Sequence, residues 1–383
     1  MTLPADACPA GVAPAVVALS HVRLVDGVLT LHGVALPELM RRFGTPLFVF
    51  DAHSMEAQYR AIDAALAPLP HRLAYAVKAN DNLSVLRRLE RCGAGADIVS
   101  GGELQRALKA GMAPEHIVFS GVGKRADEIG MALDVGIRSL HVESEAELEA
   151  IAGIAARRGA RARVSLRLNP NVDAQTHPYI ATGMWHAKFG LSLAAARALV
   201  PRIVQSPHLE LTGVTCHIGS QLGHAAPWEQ AAYETTRFAC DCLEAGAPLS
   251  LVDVGGGWPV AYGDESAPPP SFADCGAAIV RGVQAGNRLR ADFVVWTEPG
   301  RALVAGAGLL LTEVLYCKER LLPDGQRKRF IIVDAAMTEL IRPALYQAHH
   351  AITPMVQDAP TSWSPADVVG PVCESADFLA KDR

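Results

Sequence analysis

The chain has 383 residues, half of them hydrophobic and a fifth charged, the make-up of an ordinary globular protein with room for one large barrel and a smaller domain. A formal net charge of −5 excludes a general electrostatic case for binding nucleic acid or a membrane surface. The eight cysteines are scattered, form no Cys-x-x-Cys pair and, at their closest (Cys240 and Cys242), lack ligand spacing; the thiols read as reduced and cytosolic, and no residue set reads as a metal site.

In chain order, residues 1–20 (MTLPADACPAGVAPAVVALS) are rich in Ala and Pro and lack the basic start of a secretory signal, so they predict a flexible leader. HVRLVDGVLTLHG (21–33) predicts a hairpin, and residues 21–44 are assigned to N-terminal strands that join a β domain. Residues 45–298 then alternate short Val/Ile/Leu-rich runs with helical patterns. The predicted strands are LAYAV (73–77), AGADIV (94–99), HIVFS (116–120), SLHV (139–142), RVSLRLN (163–169), GVTCHI (213–218), LVDVG (251–255) and FVVWTE (293–298). Two of them lead into S-x-x-E capping boxes, Ser100 with Glu103 and Ser144 with Glu147. Repeated βα units over about 250 residues predict an α/β fold, a (β/α)8 TIM-type barrel. An open doubly wound sheet would need a Gly-rich turn after its first strand, and Lys78-Ala79-Asn80 is not one.

GDESAPPPS (263–271) predicts a surface loop, and the apolar run from Leu303 to Leu311 is too short to span a bilayer. Beyond residue 298 the runs LLLTEVLYCKE, RFIIVDA and ADVVGPVC predict a C-terminal β domain over 299–383.

Barrel chemistry gathers at the C-terminal ends of strands. There the sequence places Lys78, Asn169, His217, the run Gly255-Gly256-Gly257 and Glu298. Lys78 closes the apolar stretch LAYAVKAN. It reads either as an ordinary solvent-reaching strand end or as a Schiff-base lysine, held rigid with its pKa lowered. The glycines read as a tight turn or as successive N–H donors to a phosphate; Ser220 would add a hydroxyl. Glu298 reads as a partner of Arg301 or as the carboxylate that keeps a pyridinium nitrogen protonated, and His217 as a core histidine or a ring lying on a cofactor. An amine, a ring-nitrogen carboxylate and a phosphate seat are together what pyridoxal 5'-phosphate needs from a protein.

The motifs YAVKAN, SGGEL, FSGVGK, HVESE, RLNPNVDAQTHPYIATG, KFG, CHIGSQL, DVGGG, EPGRALV, IRPALY and GPVCESADFLAKDR follow in order. Over residues 20–383 the chain resembles the diaminopimelate decarboxylases, fold-type III pyridoxal phosphate enzymes with an alanine-racemase-like barrel and a C-terminal β domain. The resemblance implies decarboxylation of meso-2,6-diaminopimelate at its D-centre to L-lysine and CO2, the last step of lysine biosynthesis, by a cytoplasmic homodimer with shared active sites. It implies that Lys78 carries the cofactor, His217 stacks on its ring and Glu298 pairs with the ring nitrogen. Ser220, Gly256, Gly257 and the turn Pro299-Gly300-Arg301 would hold the phosphate. Arg301, Arg342 and Tyr346 would bind substrate, Cys373 would protonate the carbanion, and Glu374 would grip the distal ammonium. Cys373 and Glu374 would come from the partner subunit. Two guanidinium groups and a carboxylate select a ligand with both charges at its far end, a discrimination on the order of 10⁴ or more.

The family pattern also implies further β-domain strands and a tyrosine-bearing segment after Arg383, so the β domain reads as incomplete here. His349 stands where the family has Tyr, Trp258-Pro259 follow the glycines, and His177 and Tyr179 in THPYIATG predict a lid hinged at Thr182-Gly183. Rival readings are a sister decarboxylase acting on another basic amino acid, a racemase, and a non-catalytic pyridoxal phosphate carrier. A racemase would want a tyrosine where Cys373 stands; the carrier is a lone barrel, to which RPALY and CESAD would be idle.

Overall fold

The computed structural model describes residues 21–172, 188–356 and 365–383. The leader and the THPYIATG segment lie outside these. The described chain divides into two units, one of residues 55–260 and 269–305, the other of residues 21–54, 261–268 and 306–383.

The second unit, here the β unit, begins with the hairpin expected from HVRLVDGVLTLHG. Strands β1 (Val22–Val25) and β2 (Val28–Leu31) pair antiparallel with Val25 opposite Val28, and β3 (Val34–Ala35) adds to β2. Asp26 and Gly27 turn the hairpin at φ 48° and 75°; two successive positive φ values are the type I′ geometry that an Asp-Gly pair supports. Strand β4 (Leu47–Phe50) follows.

The barrel unit contains β5 (His71–Ala76), β6 (Gly95–Ile98), β7 (Ile117–Phe119), β8 (Ser139–Val142), β9 (Ala162–Leu168), β10 (Leu209–Cys216), β11 (Leu251–Asp253) and β12 (Val294–Thr297). These are the eight predicted strands, all parallel and closed into one barrel in sequence order, with β12 returning to β5. Their mostly buried residues are those of parallel strands covered on both faces. Between β9 and β10 the register slips at Thr212. A Cβ on the neighbouring Gly213 would stand 2.6 Å from Ser165 Oγ and 2.7 Å from a Leu251 methyl, so only glycine fits where these strands crowd.

The two S-x-x-E boxes form in modified shape. Ser100 and Ser144 accept from the backbone N–H groups of Glu103 and Glu147 as expected. The glutamates, however, reach one residue further back, accepting from Val99 N and Glu143 N. Each thereby fixes the residue between strand and helix.

After the barrel the β unit resumes with β13 (Gly308–Leu311), β14 (Val314–Leu321), β15 (Arg327–Val333), β16 (Asp367–Val369) and β17 (Phe378–Ala380). Strand β13 pairs antiparallel with β4, and the last four make one sheet in the order β14-β15-β16-β17. Val22, Leu29, Leu31, Leu36 and Leu311 form one apolar cluster of this unit, so the N-terminal hairpin shares a core with β13. The 263–271 loop is mostly exposed, as expected, yet its first residues cluster with the β unit rather than with the barrel helices on either side.

Candidate active site

Each barrel strand delivers one polar side chain at its C-terminal end. In chain order these are Lys78 just past β5, Asp97 in β6, Ser120 just past β7, His141 in β8, Arg167 in β9, His217 just past β10, Asp253 in β11 and Glu298 just past β12. Sequence reasoning picks out Lys78, His217 and Glu298. It misses Asp97, Ser120, His141, Arg167 and Asp253, all buried. Their signal is a lone polar residue near the end of an otherwise apolar run, as in AGADIV or LVDVG; burying such a group is costly unless it is partnered.

Lys78 sits in a single 3-10 turn, Val77–Ala79. The turn is braced from both sides of YAVKAN: the Tyr75 hydroxyl donates to the Asn80 carbonyl at 3.1 Å, and Ala76 N donates to Pro299 O at 3.1 Å. The Lys78 side chain is 54% exposed, whereas Asp97, whose Oδ2 accepts from its Nζ at 2.7 Å, is fully buried. The ion pair thus joins a side chain that reaches solvent to one that does not. A lowered amine pKa is the expectation from the apolar strand, and the structure overturns it. Burial does act in that direction, but Asp97, then Glu298 and Glu103, outweigh it and hold the Lys78 ammonium above its ordinary value. The decisive neighbour was hidden in the sequence, on the adjacent strand.

Glu298 is buried beside a second carboxyl and an imidazole. Ser120 Oγ donates to its Oε1 at 3.3 Å, and His141 Nδ1 lies 3.6 Å from the same atom. Burial, followed by the charges of Asp253 and Asp97, pushes the Glu298 carboxyl well above the ordinary range. Burial likewise raises Asp253 to about 7 and lowers His141 to about 3. The alternative pairing with Arg301 does not form: Arg301 instead donates to Ser220 Oγ at 3.1 Å.

The glycine run follows β11 where three strand ends meet. A Cβ on Gly255 would approach Cys216 O to 2.4 Å, one on Gly256 would approach Glu298 O to 2.5 Å, and one on Gly257 would approach Gly219 O to 2.7 Å. The glycines are therefore imposed by close packing. They do not offer three successive donors as the sequence suggests. Gly255 N is taken by Asp253 Oδ1 at 2.8 Å, and Gly256 N donates to His217 Nδ1 at 3.0 Å. Among the described residues the Gly257 N–H keeps clear of such bonds. The Gly256 bond leaves the proton of the neutral His217 ring on Nε2. Burial, then Arg167 and Lys78, lower His217 to about 3, so the ring is uncharged. Trp258, next in the chain, is buried; it donates to Thr297 Oγ1 at 2.8 Å and packs on Trp228, ring centroids 5.5 Å apart.

Several of the remaining motifs form a brace behind this ring of side chains. Lys124 of FSGVGK is buried and donates to Gly121 O, His141 O and Glu147 Oε1. Glu143 of HVESE holds Arg167 and also accepts from Gly190 N of KFG at 2.8 Å. The Arg167 guanidinium lies 4.9 Å from the Phe189 ring centroid.

The other predicted site residues belong to the β unit. Arg342 opens the short helix Arg342–Tyr346; it donates to His350 Nε2 at 2.9 Å and lies 4.4 Å from the Tyr262 ring centroid. Its alternative carboxylates are otherwise engaged, Asp334 by Thr312 and Glu313, and Glu339 by Ala336 and Thr338. Tyr346 closes that helix half-buried, and Cys373 and Glu374 lie exposed in the turn before β17. His349 accepts from Arg383.

Residues 52–305 match the family described as pyridoxal-dependent decarboxylase, pyridoxal binding domain. A diaminopimelate decarboxylase from Pseudomonas aeruginosa is 48% identical over 362 residues, 94% of this chain and 83% of that one. The chain belongs to the diaminopimelate decarboxylase family. The Vibrio cholerae family member is 44% identical over 94% of this chain and 83% of its own length. Among solved structures, the Helicobacter pylori diaminopimelate decarboxylase complexed with L-lysine superposes with a TM-score of 0.82 at 42% identity, covering 91% of this chain and 84% of that one. The M. jannaschii diaminopimelate decarboxylase, also with L-lysine, gives 0.87 at 33% identity, with coverages of 96% and 84%.

The donor set fits the cofactor of diaminopimelate decarboxylases. The partly exposed Lys78 amine and the buried Glu298 carboxyl stand at neighbouring strand ends, since β12 closes on β5. On the same rim Ser220 Oγ, the Arg301 guanidinium and the Gly257 N–H supply donors suited to a phosphate.

Proposed function

We propose that this chain is a pyridoxal 5'-phosphate-dependent carboxy-lyase that converts meso-2,6-diaminopimelate to L-lysine and CO2. The observation that carries this reading is the placement of Lys78 and Glu298 just past two adjacent strands, in a chain 42% identical to a decarboxylase whose structure holds L-lysine. Barrel residues 45–298 would form the cofactor domain.

The bound cofactor supplies an electron sink for the pair left by the departing carboxylate. Lys78 would hold it, and Asp97 Oδ2, hydrogen-bonded to Nζ, would fix the direction of the amine; the proton that the amine releases before it becomes a nucleophile would pass to solvent at the exposed side of the lysine. Glu298 would place its proton at the ring nitrogen. His217, uncharged and fixed by Gly256, would lie against the ring without adding a competing positive charge. Ser220, Gly256, Gly257 and the Pro299-Gly300-Arg301 turn would seat the phosphate, with Gly256 acting through space and through His217, since its N–H is already engaged.

Arg301, Arg342 and Tyr346 would bind the distal carboxylate, and Glu374 the distal ammonium, giving a site that penalises substrates lacking either charge. Cys373 would return a proton to the substrate carbon. The exposure of Cys373 and Glu374 supports a homodimer in which these two residues complete the site of the second copy. A cytoplasmic setting would suit the cysteines of the described residues, seven of which are free thiols; among the described residues no helix is long and apolar enough to cross a membrane.

The test is product analysis with meso-diaminopimelate and ornithine side by side. Lysine and CO2 from the first alone is the expected result. Equal turnover of ornithine would sink the substrate assignment, and cofactor binding with no turnover of either would favour a carrier.

A further inference from the structure

Three histidines and one buried aspartate of the β unit converge from separate stretches of chain. His21 precedes β1. His32 occupies the β2–β3 turn at φ 48°, a left-handed conformation that histidine tolerates better than most residues. Asp51 follows β4, and His53 stands in the first turn of the helix Ala52–Leu66. The His21 and His32 rings stack with centroids 4.4 Å apart, and His32 and His53 lie 4.8 Å apart. Asp51 is only 3% exposed. Its Oδ1 accepts from His32 Nε2 and from His53 N, both at 2.9 Å, and lies 3.8 Å from His53 Nδ1; its Oδ2 accepts from Ser54 Oγ at 2.6 Å.

One donor atom each from His21, His32 and Asp51 lies within 4.8 Å of the other two. A tetrahedral ion bound at about 2.0–2.1 Å has donor atoms about 3.3 Å apart along each edge. The separations of Asp51 Oδ1 from His32 Nε2 (2.9 Å) and His53 Nδ1 (3.8 Å) bracket that edge; His53 stands outside the mutually close set and would have to turn its ring inward to ligate. The carboxylate is already oriented by Ser54 and by the His53 backbone, the kind of outer support that metal-bound carboxylates use. It also supplies one negative charge among imidazoles that would otherwise repel if protonated. Imidazole donors favour zinc-like transition ions over magnesium or calcium.

We propose that His21, His32 and Asp51, with His53 as the fourth ligand, form a binding site for a divalent transition-metal ion of the zinc class. The site would fasten the start of β1 to the β2–β3 turn and to the β4–helix junction. All four ligands lie in the β unit and none is a residue of the proposed reaction, so the inference stands whether or not the decarboxylase reading does.

The experiment is a Co²⁺ titration of the untagged, chelator-treated holoenzyme, read by visible absorbance. The expected result is one equivalent bound with intense tetrahedral d–d bands, displaced by Zn²⁺ and accompanied by a rise in Tm. His21→Ala and His32→Gln should each weaken uptake by about 100-fold or more, while Lys78→Ala and His224→Ala keep it. His32→Gln retains a polar partner for Asp51, and its metal-free Tm reports whether the variant folds. Absent uptake, or uptake by wild type that a folded His21→Ala/His32→Gln double variant retains, would overturn the proposal.

Discussion

Lys78 Nζ donates to Asp97 Oδ2 at 2.7 Å, an ion pair between a side chain open at the barrel mouth and one with no exposure at all. Asp97 cannot turn to solvent for a substitute partner, so the lysine is held in one direction. Asp97→Asn removes the charge that raises the Lys78 pKa. The amine should then deprotonate at lower pH, and cofactor should attach faster below neutrality than in wild type. Stopped-flow absorbance of reconstitution across pH measures this; an unchanged pH profile would contradict the assignment. Because Lys78 can hydrate, the stability loss should stay below the roughly 3–5 kcal/mol seen when a wholly buried pair is broken.

Asp253 titrates near 7 in the folded chain against 3.8 unfolded. Between those values the native state binds more protons than the unfolded state, so stability is greatest at the acid end of this window and falls as pH rises through it. Glu298 acts in the same direction. Urea unfolding of the apo protein from about pH 4 to pH 8 should show this decline, and Asp253→Asn should flatten it. A wild-type stability that climbs across the window would refute the assignment.

Gly256→Ala puts a methyl group 2.5 Å from the Glu298 carbonyl oxygen. Both are backbone-anchored, so the strand ends must part, at a cost of about 1–3 kcal/mol. The same shift loosens the N–H bond to His217. Cofactor affinity should drop by more than tenfold, measured by equilibrium titration; a variant binding as tightly as wild type would show that this approach is relieved elsewhere.

Tyr75→Phe removes the hydroxyl that closes the lysine turn onto Asn80. The expected stability loss is about 1 kcal/mol. Since the turn positions the reacting amine, kcat should fall more than KM changes. Steady-state kinetics and thermal melts together separate this from simple destabilisation.

Lys78→Ala and Cys373→Ala should each be inactive alone. If Cys373 serves the second copy's site, mixing the two under exchange conditions should restore partial activity, because a hybrid dimer carries one intact site. No recovery despite verified exchange would place Cys373 in its own subunit's site or outside catalysis.

The barrel was legible because each parallel strand announces itself as a buried apolar run between capped helices, and the hairpin because Asp26-Gly27 can hold two positive φ values. Lys78, His217 and Glu298 were legible because they follow such runs. Asp97, His141 and Asp253 were not: each sits inside a strand, where a single polar letter looks like noise until barrel closure brings it against neighbours from other strands. The glycine run was legible as special, but the strand crowding that requires glycine at 255 and 256 was not. The His21–His32–Asp51 cluster has no sequence signature because a turn, a strand end and a helix start assemble it.

The closure of β12 onto β5 joins the first and last members of the polar ring. Lys78 and Glu298 stand at opposite ends of the barrel's stretch of chain, and no partial barrel brings them together. A growing or half-unfolded chain therefore has nothing with which to grip the cofactor at both ends. Cofactor capture becomes a completion signal for the barrel: it rewards the finished ring alone and, by mass action, deepens only that state.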